Sequence, residues 1–193
     1  MTLPAVIVIT DWSMGEEALL AQLARAGRVA VQHRNPGVTA RVYFEQAVRL
    51  KAQCDALGAE LFVSGRLDVA LALGTHLHLP ARAVLPADVK LDGWVSVAVH
   101  DEAEAGRAQG ADLALLSPVF ETGSKPDATP LGPEGFARLA KLTPCPAYAL
   151  GGLTPDRLAL LPSAAGAAVI SAVLRAEDPA GVVAAFARIR CAG

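Results

Sequence analysis

Aromatic residues make up only 5% of this 193-residue chain, and neither a run of Lys or Arg nor an interleaved basic and aromatic stretch is present. Nucleic acid is therefore a poor partner. Long apolar runs are missing too: the longest are strand-sized, short of the ~18 residues of a membrane span, which argues against a membrane protein. Met1-Thr2-Leu3-Pro4 lacks the charged n-region and apolar h-region of a signal peptide. Cysteine is scarce, and Cys54, Cys145 and Cys191 are an odd number without metal-ligand spacing. That usage suits reduced thiols in a cytoplasm. No linker, low-complexity tract or composition shift divides residues 1–193, which read as one domain. The formal net charge of -2 singles out no partner, and a homo-oligomer is left open.

What is present is apolar and regularly spaced. Hydrophobic residues at 53% with charged residues at 19% describe a compact chain whose sheet is buried on both faces. Eight strand-length runs alternate with helix-periodic stretches: Pro4 to Thr10, Val29 to Arg34, Glu60 to Ser64, His76 to Leu79, Trp94 to His100, Leu113 to Pro118, Pro146 to Gly151 and Ala167 to Ser171. Strand and helix in alternation imply parallel pairing, and eight strands suggest a closed (β/α)8 TIM barrel of the α/β class, lean against the usual ~200 residues or more. An open doubly wound sheet is the alternative, disfavoured because no Gly-rich loop follows the first strand. Helix starts are expected at Ser13 before Glu16-Glu17, at Thr39 for a helix from Phe44 to Leu57, at Asp101 for Glu102 to Gln109, and at Thr154-Pro155 for Asp156 to Leu161. Gly27, Gly58, Gly74 and Gly110 stand where helices end and a left-handed residue is wanted. The stretch from Pro80 to Leu91 predicts only a short or broken helix.

In such a barrel the polar residues at the carboxyl ends of the strands are the candidates for chemistry. Gly151-Gly152 closes strand 7, and strand 8 runs into Ile170-Ser171 and a helix, so two adjoining strand ends offer backbone N–H groups to a phosphate monoester. The loop after strand 6 holds Thr122, Ser124 and Lys125 around a glycine, which suits a flexible anion clamp, although such residues also make ordinary loops. Strand periodicity puts Gln32 and Arg34 on one face and His33 on the other, and Arg is suited to bidentate contact with phosphate or carboxylate. His76 and His78 share a face of strand 4, next to His100 on strand 5. They are weighed as zinc ligands, but no carboxylate accompanies them at that rim, so no metal site is expected.

Val31-Gln32-His33-Arg34, Ala98-Val99-His100, Pro118-Val119-Phe120-Glu121-Thr122 with Lys125, Leu150-Gly151-Gly152-Leu153 and Ile170-Ser171-Ala172 occur in order along nearly the whole chain. This ordered set resembles the thiamine phosphate synthase/TenI family. The resemblance implies a (β/α)8 barrel that binds a phosphorylated thiazole or thiamine-related ligand. It implies phosphate contact from Thr122 and Ser124, backbone contact from Gly152 and around Ser171, and ring recognition near Gln32, Arg34 and His100. The chain departs from the family pattern where Pro36 replaces a lysine, Gly65 and the Pro80 to Ala83 stretch lack metal-ligating aspartates, and Pro118 replaces the tautomerase histidine. The expectation is a TenI-like, metal-independent thiazole tautomerase with proton transfer at His100, His33, His78 or Glu121, His100 first. The alternatives are a thiamine phosphate synthase, which would require Mg2+, and a catalytically silent sensor barrel.

Overall fold

The computed structural model describes residues 2–123 and 127–191. Eight parallel strands close into a barrel in chain order: β1 (Val6–Ile9), β2 (Ala30–His33), β3 (Leu61–Ser64), β4 (His76–Leu79), β5 (Val95–Val99), β6 (Leu113–Leu116), β7 (Ala147–Leu150) and β8 (Gly166–Val169), with β8 paired to β1. The helices are α1 (Glu16–Ala26), α2 (Ala40–Leu57), α3 (Leu67–Leu73), α4 (Glu102–Ala105), α5 (Gly132–Leu142), α6 (Pro155–Ala159), α7 (Ser171–Leu174) and α8 (Pro179–Cys191). The expected (β/α)8 architecture is therefore present. Among the described residues no helix is long and apolar enough to cross a membrane.

Each strand presents alternate residues to two different cores, as a period of two requires. Outward residues such as Val8, Val31, Val63, Leu77 and Leu116 pack with Leu19, Leu50, Phe136 and Phe186 of the surrounding helices. Inward residues Ile7, Phe62, Leu113, Leu115 and Tyr148 form a second, smaller cluster inside the barrel. His76 belongs to this inner floor. It stacks on Trp94 at 4.5 Å, its Nδ1 accepts the Trp94 backbone N–H (2.9 Å), and its Nε2–H is thereby directed to the Glu60 carboxylate (2.9 Å). These contacts commit His76 to the floor, away from His100, and among the described residues no group of three His, Cys, Asp or Glu side chains is placed to hold a metal ion.

The local signals depart from expectation in several places. Ser13 lies inside a short 3-10 turn (Trp12–Met14) capped by Asp11, and Gly15 precedes α1. Thr39 does cap α2, but the helix begins at Ala40, because the cap accepts the Val42 N–H. Asp101 caps α4, which tightens after Ala105 into a 3-10 turn over Gly106–Ala108. Thr154 caps α6, which stops at Ala159. Gly58 and Gly74 are left-handed, whereas Gly27 has φ 75° and ψ -145°, outside that region. Residues 80–91 form turns and no helix.

Gly166 is required by packing. A Cβ there would lie 2.2 Å from Cε1 of Tyr148, whose ring fills the inner core and whose hydroxyl donates to the Pro4 carbonyl (2.5 Å). Gly166→Ala is expected to cost about 1–3 kcal/mol through overpacking, measured as a lower urea midpoint. An unchanged midpoint would contradict the placement of Tyr148 as a fixed plug.

Candidate active site at the carboxyl ends of the strands

Above the apolar floor the inward positions turn polar, and they surround one cavity of about 690 Å3. Gln32 and Arg34 both line it, from successive inward positions of β2 and its extension. Ser64, His78, His100 and Ser117 line it from the next strands, and Gly151, Gly152, Ile170 and Ser171 from the last two. His33 points the other way and is buried against Tyr43, stacked at 4.0 Å. It is not available for proton transfer to a ligand in the cavity.

Helix α2 fixes the β2 wall. The Tyr43 hydroxyl donates to the His33 carbonyl (2.8 Å) and accepts the Ser64 N–H (2.9 Å), which ties β2 to β3 beside the cavity. The Arg34 N–H donates to the Thr10 hydroxyl (2.9 Å), and that hydroxyl donates back to the Arg34 carbonyl (3.2 Å). Arg66 does not join the mouth: it pairs with Asp68 through two hydrogen bonds of 2.9 and 2.6 Å and stacks over Tyr43. Gln32 is only 2% exposed, and its Oε1 has no hydrogen-bond partner among the described residues. A buried acceptor in that state favours a ligand carrying an N–H or O–H donor.

Two histidines share the cavity wall. The His78 Nδ1 meets the Ser96 hydroxyl at 2.9 Å, which leaves Nε2 as the ring atom able to meet a ligand. Burial, then the nearby Arg34 and His100, push its pKa down to about 3, so the ring is neutral. The His100 Nδ1 and backbone N–H both reach the Glu104 carboxylate, at 2.8 and 2.9 Å. Asp101 in turn caps the Glu104 N–H at 2.9 Å, so one turn of helix holds the imidazole and its carboxylate in register. Such a carboxylate fixes the tautomer and orientation of a ring used for acid or base work.

The glycine pair has a double role. A Cβ on Gly152 would lie 2.2 Å from the Glu121 carbonyl, and one on Gly151 would lie 3.0 Å from Pro118. Both glycines also have positive φ, 105° and 61°. The close approach lets the loop after β6 dock on β7 through Val119 N–H to Leu150 O (2.9 Å) and Phe120 N–H to Gly151 O (3.1 Å). Thr122 and Gly123 then reach the cavity from that loop. Ser124 and Lys125 lie outside the described residues. Beyond β8, Ser171 and Ala172 open α7 on the cavity, and the first N–H groups of a helix have no acceptor within it.

The donor set does not fit a magnesium centre. Mg2+ asks for oxygen ligands, one or two of them carboxylates, in an octahedron. At the ends of β3 and β4 the wall consists of Ser64, His78, Pro80 and Ala81, and a side chain on Gly65 would face the Pro80 ring at 3.5 Å. Asp11 is the one carboxylate among the described lining residues, and it is engaged with Ser13 (2.6 Å to the hydroxyl) and Arg175 (3.6 Å).

A family model described as "Thiamine monophosphate synthase" matches residues 6–173. The chain belongs to the thiamine phosphate synthase/TenI family. Within it, a thiamine-phosphate synthase of Syntrophomonas wolfei is 35% identical over 189 residues, covering 90% of this chain and 90% of that protein. The "Thiamine biosynthesis bifunctional protein ThiM/ThiE" of Symbiobacterium thermophilum is 38% identical over 173 residues; the match spans 83% of this chain but 36% of that longer protein. A solved thiamine phosphate pyrophosphorylase from Pyrococcus furiosus superposes with a TM-score of 0.81 at 28% identity, covering 97% and 95% of the two chains. The family model and the Syntrophomonas wolfei protein carry synthase names, and all three proteins are named for thiamine or its phosphate. They support the synthase alternative better than the tautomerase that the sequence put first.

Among the lining residues, His78 and Arg175 are two that the sequence did not mark as ligand contacts. His78 was weighed only for zinc and proton transfer. Arg175 sits past a four-residue helix, where no periodicity marks it. For stability the histidines have a further consequence. His33 donates Nε2–H to the Tyr43 carbonyl (3.2 Å) while its buried Nδ1 has no partner among the described residues, and burial lowers its pKa from 6.5 to about 4. Protonation then occurs in the unfolded chain first, so the unfolded state binds more protons and stability falls as pH drops from 6.5 towards 4. The loss from His33 reaches about 3 kcal/mol at the lower end. Unfolding free energies across this window are expected to slope accordingly, with a shallower slope in His33→Gln; identical slopes would contradict the burial of that ring.

Proposed function

We propose that this barrel is a thiamine phosphate synthase, joining an aminopyrimidine pyrophosphate to a thiazole phosphate with release of pyrophosphate. The observation that carries the reading is the cavity wall: an unpaired Gln32 acceptor suited to an amino N–H lies in one enclosure with Thr122, Gly152 and Ser171, suited to a phosphate. The volume of about 690 Å3 falls within the usual range of small-molecule sites and accommodates two linked rings. In the reaction a C–N bond forms as the C–O bond to pyrophosphate breaks, and the departing group takes the electron pair. Arg34, which lines the cavity, is placed to stabilise that developing charge. The named relatives support the same chemistry. A cytoplasmic setting belongs to the same proposal, since Cys54 and Cys145 are free thiols.

One observation favours a second reading, a metal-independent thiazole tautomerase. His100 carries a carboxylate partner at 2.8 Å, the arrangement of a proton-transfer group, while the described wall at the β3 and β4 ends offers no carboxylate to a cation. The two readings separate in one assay series. Purified protein with both synthase substrates and Mg2+ is expected to form thiamine phosphate and pyrophosphate in equal amounts, and His100→Asn is expected to retain most of that rate. If His100 is the proton-transfer group of a tautomerase, the variant loses about 10²-fold or more in converting the thiazole carboxylate phosphate tautomer. Absence of thiamine phosphate would reject the synthase.

A further inference from the structure

The charge on the cavity wall is distributed unevenly. On the side of β8, β1 and β2, which are neighbours in the closed sheet, stand Arg175, Asp11 and Arg34. On the β3 and β4 side the described lining offers no charged group at all, only Ser64, the neutral His78, Pro80 and Ala81. The two guanidinium groups outnumber the single carboxylate.

Arg175 and Asp11 meet on the β8 and β1 side of the mouth at 3.6 Å, and the arginine side chain is 72% exposed. An exposed pair at that distance contributes little to stability. Asp11 has other duties: it accepts the Ser13 N–H (3.1 Å) and the Ser13 hydroxyl (2.6 Å), and these hold its pKa below the usual carboxylate value. It therefore stays charged and in place when Arg175 leaves. Arg175 follows directly on α7, whose first residue, Ser171, lines the same cavity. A phosphate or pyrophosphate is a better partner for a guanidinium than a carboxylate already bonded elsewhere, because it offers several charged oxygens to the planar fork.

We propose that Arg175 is an anion-reading residue of this cavity, held by Asp11 in the free protein and transferred to the ligand's phosphate or pyrophosphate, and that it supplies charge neutralisation there without a divalent cation. The inference rests on the synthase reading for the identity of the ligand, but not for the binding itself. No bond is made or broken: one ion pair is exchanged for another. Asp11 is then a competitor for Arg175, and its removal favours ligand.

Isothermal titration of the full chain with inorganic pyrophosphate tests this, in EDTA and again with Mg2+. Binding in EDTA is expected, unchanged within about threefold by Mg2+, weakened about tenfold or more in Arg175→Gln, and tightened about twofold or more in Asp11→Asn. Asn can still accept the Ser13 N–H, so the second variant keeps the turn. Binding seen only with Mg2+, or an Arg175→Gln affinity within about twofold of the parent, overturns the proposal. Thiamine phosphate titrated into the same samples separates the two levels. If it binds parent and Arg175→Gln alike, the ion-pair exchange is wrong and the synthase reading stands; if neither ligand binds the parent, both fall.

Discussion

The site exists because the barrel has a floor. Tyr148, Phe62, Leu113 and Leu115 fill the lower interior, with His76 and Trp94 packed on Phe62 at 4.8 and 6.2 Å. A barrel of eight strands is just wide enough for side chains to fill it, so any open volume must be made by small or polar residues higher up the same strands. In this chain the change occurs within one or two residues: Phe62 gives way to Ser64, His76 to His78, Leu115 to Ser117 and Tyr148 to Leu150 and the glycine pair. Apolar packing below and polar lining above are thus two parts of one strand pattern.

Loops then complete what the strands begin. Gly151 and Gly152 are demanded by the backbone of residues 118–121 passing over β7, and Arg157 reinforces the contact by donating to the Gly152 carbonyl (2.6 Å) and stacking over Phe120. The same docking carries Thr122 to the cavity rim. Glycine here serves the close approach of two chain segments as much as it serves a ligand. On the opposite side, the Tyr43 hydroxyl and the Thr10 hydroxyl hold the backbone that presents Gln32 and Arg34.

The strands were legible because parallel strands buried on both faces read as continuous apolar runs, and all eight expected runs contain the observed strand or all but its first residue. Gln32 and Arg34 were legible from alternation alone. Helix starts were less so, since Ser13, Asp11 and Gly15 all carry cap chemistry and only tertiary packing decides among them. Histidine roles were not legible: His33 faces the helices from β2, His76 and His78 occupy the floor and the cavity wall from β4, and their partners Tyr43, Glu60 and Ser96 are unrelated. Periodicity gives the face a ring occupies and says nothing of its partner. Arg175 was not legible because its position follows from how the short helix α7 ends beside the mouth.

Family membership and site chemistry pull in slightly different directions. The family model and a full-length relative carry synthase names, while the described donor set near β3 and β4 is poor in oxygen ligands and the cationic side lies at β8, β1 and β2. A wall of this kind has the chemistry that the proposed function asks for, an unpaired acceptor for a ring N–H and cationic groups for an anionic ester. A crystal structure with thiamine phosphate bound tests that claim most directly. The account predicts the phosphate in contact with Gly152 and Ser171 and the aminopyrimidine N–H on Gln32 Oε1. A phosphate seated against the β3 and β4 ends, or a ligand outside the cavity, would contradict it.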